Sequence, residues 1–121
     1  MPLEERDCAR FRDMEIYAQR AIDYLAEVPE TSFAGDTLIQ DAVLRCFEVL
    51  GEAARAVSPA GKAAYPAIPW PFIVGMRNRV IHEYHRVDLA LVYTTVMSEL
   101  PGLIDLLRQA LSSVNHDDAE C

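Results

Sequence analysis

Trp70-Pro71-Phe72-Ile73-Val74-Gly75-Met76-Arg77-Asn78-Arg79-Val80-Ile81-His82-Glu83-Tyr84 gathers its apolar residues on one side only if the chain coils as a helix. Stepping about 100° per residue from Arg77 brings Ile73, Met76 and Val80 together between roughly −100° and −40°, a face suited to packing on a core. Arg77 and Tyr84 are nearly eclipsed on the neighbouring edge, and Asn78, His82 and His85 cluster at roughly 80° to 140°. Pro69 and Pro71 can stand in the first turn, where a missing N–H leaves no helical bond unmade.

The stretch from Ser58 to Pro71 contains four prolines and Gly61, which predicts an extended or irregular connector. Before it, Ile39, Val43, Cys46, Phe47, Leu50, Ala54 and Val57 repeat at helical steps and end near Ser58-Pro59. Another amphipathic helix is predicted from Asp7 to about Ala26, carried by Cys8, Phe11, Ala18, Ala21, Ile22 and Leu25 and broken by Pro29 and Glu30-Thr31-Ser32. After the quoted stretch, Asp88, Leu91, Val92, Val96, Leu100, Leu103, Leu107 and Leu111 predict a last helix, kinked or interrupted at Pro101-Gly102. No segment alternates with period two and β-branched enrichment, so the fold is read as all-α. Residues 1–114 form one domain on this reading, and the polar residues 115–121 a disordered tail.

The composition is that of a soluble globular chain, with 51% hydrophobic and 25% charged residues. No apolar run nears the roughly 20 residues needed to span a bilayer, and Met1-Pro2-Leu3-Glu4-Glu5-Arg6-Asp7 lacks a basic-then-apolar signal pattern, so a cytoplasmic location is expected. Cys8, Cys46 and Cys121 are widely spaced and form no disulfide framework; the first two read as small apolar fillers and the last as a terminal thiol without a role. The formal net charge of −8 sets a condition on any nucleic-acid role, since phosphate binding needs cations gathered locally. Arg77, Arg79, Arg86, His82 and His85 stand against only Glu83 and Asp88 in their segment, which meets that condition.

An Arg that can hold a phosphate and a His that can move a proton near neutral pH are the minimum kit for cleaving RNA without a metal. Arg77 and His82 lie too far around one helix to close tightly on a single phosphate, so the geometry favours a site completed by a second copy of the helix. Taken alone, Arg-x-x-x-x-His also fits a solvated face or an interface pair. His82-Glu83-Tyr84-His85 is not the H-E-x-x-H of zinc peptidases, and neither a metal site nor a cofactor is expected.

The chain resembles the HEPN-domain toxins of the HepT type, which pair with a minimal nucleotidyltransferase antitoxin. The resemblance covers nearly the whole chain: Arg6-Asp7, Asp13-Met14, Gly51-Glu52-Ala53-Ala54, Tyr65-Pro66-x-Ile68-Pro69-Trp70, Gly75 through Tyr84, Val87-Asp88 and Leu100-Pro101. It implies a four- to five-helix up-and-down bundle that forms a homodimer, with two Arg-x-x-x-x-His segments across a shared cleft. It further implies a metal-independent endoribonuclease of a type VII toxin–antitoxin system, acting on tRNA or mRNA. On that likeness Arg77 and His82 are the catalytic pair, Asn78 and Arg79 support the RNA phosphate, and Tyr84 is the residue that the antitoxin adenylylates. An alternative is a catalytically silent helical partner of a nucleotidyltransferase; a further one is an assembly module that needs neither Arg77 nor His82.

Overall fold

A computed structural model describes residues 3–83 and 86–114, so Tyr84, His85 and the tail from residue 115 lie outside the described residues. Within them the chain forms seven helices and no strand: α1 (Glu5–Leu25), α2 (Glu30–Ala34), α3 (Thr37–Ala56), α4 (Pro59–Ala64), α5 (Trp70–His82), α6 (Leu89–Ser98) and α7 (Leu100–Val114). The five longer helices make an all-α bundle, in which α1 packs on α3 and α7, and α3 also packs on α5.

The apolar stripes close on one core. Phe11, Met14, Ala18 and Leu25 of α1 are fully buried, as are Val43 and Ala54 of α3 and Leu107 of α7. Ile73, Met76 and Val80 of α5 are buried as their helical spacing requires. Phe11 meets both ends of the connector before α5, with ring centroids 5.6 Å from Tyr65 and 5.7 Å from Trp70, each edge-on. Trp70 Nε1 donates to Tyr65 O at 3.2 Å, so this aromatic group fixes where α5 begins.

Three expectations are corrected. The segment after Pro59 is helical, because Ser58 caps it: Gly61 N donates to Ser58 Oγ at 3.0 Å, and Pro59 takes a first-turn position where it needs no N–H. That cap is itself held by Asp7, which is buried and accepts from Ser58 N at 2.9 Å and Ser58 Oγ at 2.6 Å. Glu30-Thr31-Ser32 likewise starts the short helix α2 instead of a plain break, with Pro29 as its extended N-cap residue. Finally, α5 ends at His82, two residues short of Tyr84, with Glu83 turning out of helical geometry at φ −120° and ψ 32°. The expected placement of Tyr84 above Arg77 lies outside the described residues.

The predicted interruption of the last helix is present as a 46° bend between α6 and α7, placed at Glu99 so that Pro101 falls in the first turn of α7. Among the described residues no single helix is long and apolar enough to cross a membrane.

Candidate active site

Helix α5 lies against α3, and the contact is closest at Gly51. A Cβ on Gly51 would overlap Cβ of Arg77 and come within 2.7 Å of its Cγ and 3.3 Å of its Cδ, so the Arg77 stem lies directly on the α3 backbone. The side chain is thereby drawn inward, with 14% of its surface exposed, while its guanidinium reaches the rim of the α3–α5 seam.

The guanidinium is held from two sides. Arg77 Nη2 donates to Glu52 Oε1, the residue after the glycine on α3, and Arg77 Nη1 donates to Asn78 Oδ1 at 3.1 Å. Arg77 Nε is buried and has no acceptor among the described residues, a cost of roughly 1–3 kcal/mol that packing around the stem must offset. Each Nη carries two protons, so one N–H on each remains for an incoming oxyanion once Glu52 and Asn78 are served.

His82 is the last residue of α5 and is exposed. It stands five positions beyond Arg77, roughly 140° around the helix, and no hydrogen bond joins the two. Arg79 is also exposed and shares the last turn with His82, where basic side chains face the helix's unpaired carbonyls. Arg79 lines a small cavity of about 70 Å³ together with Glu83, Arg86 and Asp88. Of the predicted site residues, the structure joins Arg77 to Asn78, sets Arg79 and His82 on the exposed end of the helix, and leaves Tyr84 outside its description.

Glu52 is the residue that reasoning along the sequence missed. Counting charges within 77–88 omitted a carboxylate delivered from another helix, and Glu52 moderates the positive charge of Arg77 directly. A signal was present: Phe47, Leu50, Gly51 and Ala54 lie on the buried stripe of α3, and a glycine on such a stripe marks close approach by a neighbouring element. Among the described residues no group of three or more His, Cys, Asp or Glu side chains is placed to hold a metal ion.

Residues 14–110 match the family described as ribonuclease HepT-like. Two proteins of Methanocaldococcus jannaschii that carry RNase in their names are 30% and 33% identical to this chain over 102 residues. Each alignment covers 84% of this chain, and 94% and 88% of the respective relatives. A protein of Thermococcus cleftensis named as a ribonuclease HepT is 33% identical over 81 residues, 67% of this chain and 74% of its own length. No solved structure matches significantly.

Proposed function

The chain belongs to the HepT-like ribonuclease family, and on that premise we propose that it is the toxin of a type VII toxin–antitoxin pair, a homodimeric endoribonuclease that cleaves tRNA or mRNA without a metal. The observation that carries this reading is the Arg77 guanidinium, anchored by Asn78 and Glu52 with N–H groups left to bind a phosphoryl oxygen, on the same helix as an exposed His82.

The chemistry follows from those two groups. One His82 imidazole takes the proton of a ribose 2′-OH as that oxygen attacks the adjacent phosphorus; the P–O5′ bond breaks, and the leaving O5′ receives a proton from solvent. The products are a 2′,3′-cyclic phosphate and a 5′-hydroxyl end. Arg77 stabilises the non-bridging oxygens as their charge grows, the electrostatic contribution that removal of a single donor usually reveals. Asn78 holds the guanidinium in plane, and Arg79 attracts the flanking phosphate. A dimer brings an Arg77 and a His82 from different helices to one phosphate.

Regulation falls to a nucleotidyltransferase antitoxin that transfers AMP to Tyr84. The added phosphodiester brings negative charge and bulk close in sequence to Arg77 and His82, and competes with RNA for the same cations. Purified protein incubated with total cellular RNA in EDTA is expected to cleave it and leave cyclic phosphate ends, while His82→Ala keeps its helix content and loses cleavage by about a hundredfold or more. Equal cleavage by His82→Ala would overturn the assignment. Absence of cleavage by unmodified, dimeric protein would support the silent binding partner instead.

A further inference from the structure

The Arg77 side chain is placed by residues of a different helix, and the placement has two separable parts. Gly51 provides the shelf: with no Cβ there, the α3 backbone and the Arg77 stem touch, and the nearest atoms a methyl would meet are the Cβ and Cγ next to the α5 backbone, which cannot swing aside. Glu52 provides the tether, accepting from Arg77 Nη2 while its own side chain stays 55% exposed. Between shelf and tether, Nε is buried without an acceptor among the described residues, and one N–H of Nη1 is occupied by Asn78 Oδ1. This arrangement fixes the plane of the guanidinium before any phosphate arrives and leaves the second proton on each Nη for that phosphate.

We infer that Gly51 and Glu52 are positioning residues, which seat and orient the Arg77 guanidinium for the phosphoryl oxygens of the RNA. The inference rests on the ribonuclease reading for its substrate. Its geometric content concerns Arg77 alone. Glu52 touches Arg77 and contributes no proton to the reaction, so its effect passes through the guanidinium. A tether that acts mainly as charge gathers in the transition state changes kcat more than KM.

The test compares full-length wild type, Glu52→Ala, Glu52→Gln and Gly51→Ala in RNA cleavage, with unfolding midpoints and with 15N NMR of the Arg77 Nε–H. Glu52→Ala is expected to lower kcat by about tenfold with KM changed by less than about threefold, and Glu52→Gln, which keeps the acceptor oxygen, to recover at least about a third of wild-type kcat. The wild-type Nε–H is expected to be sharp and protected from exchange, and to broaden or exchange in Glu52→Ala. Gly51→Ala is expected to lower both kcat and the unfolding midpoint; if it fails to fold, the Glu52 variants decide. Wild-type kcat in Glu52→Ala, in a wild type that cleaves RNA, would overturn the inference and leave the ribonuclease reading standing. A wild type that cleaves no RNA overturns that reading, and the Nε–H comparison then decides the seating of Arg77: an unchanged signal in Glu52→Ala sinks it.

Discussion

Single residues carry two consequences that need no knowledge of the substrate. Asp7 is 3% exposed and ties the start of α1 to the Ser58 cap of α4 through two hydrogen bonds. Asp7→Ala strands the Ser58 donors, and chemical denaturation is expected to show a loss of about 2–3 kcal/mol. Gly61 packs at the same point, where a Cβ would stand 2.5 Å from Asp7 Oδ2. The Cys46 thiol is free and buried, and burial pushes its pKa from 9.0 up to about 11 against the opposing pull of Arg20 and Arg45. Because the folded state favours the neutral thiol, its contribution to stability is fully present below pH 9 and declines as the pH rises through about 11. Urea unfolding of wild type and Cys46→Ala should therefore converge in stability between those pH values, and a constant gap would count against the buried neutral thiol. At this scale the sequence singled out Arg77, Asn78 and His82 as site candidates but not Glu52 or Asp7, because each of those contacts a residue far away along the chain.

At the scale of elements, periodicity located every long helix, since each buries a stripe that recurs at helical steps. It did not locate α2 and α4, of five and six residues, which are too short for a repeat and depend on local start signals. The Ser58-Pro59 cap was legible in principle, yet the density of prolines around it argued more loudly for irregular chain. The end of α5 also escaped periodicity, which continues through Tyr84 although the helix stops at His82. The bend before α7 came from proline chemistry, and Gly102 beside it is not required by backbone or packing: a Cβ there would meet nothing within 4 Å. Gly102→Ala should accordingly stabilise the protein by roughly 0.5–1 kcal/mol. A thermal unfolding midpoint at or below that of wild type would show that the glycine serves the bend after all.

On the scale of the whole molecule, the net charge of −8 leaves Arg77, Arg79, His82 and Arg86 gathered on α5 and just beyond it, as the proposed RNA site requires. The bundle was legible from the sequence, whereas pairing of two bundles rests on the separation of Arg77 from His82 around one helix. Sedimentation of the purified protein is expected at twice the 13.6 kDa protomer mass. A site that takes Arg77 from one protomer and His82 from its partner can be probed by mixing two inactive variants. Arg77→Ala and His82→Ala proteins, unfolded together and refolded to allow mixed dimers, should regain RNA cleavage, because one of the two sites in each mixed dimer then holds both intact residues. A mixture that forms such dimers, shown by mass, and stays inactive would contradict the shared site and return Arg77 and His82 to a single protomer or to no catalytic role.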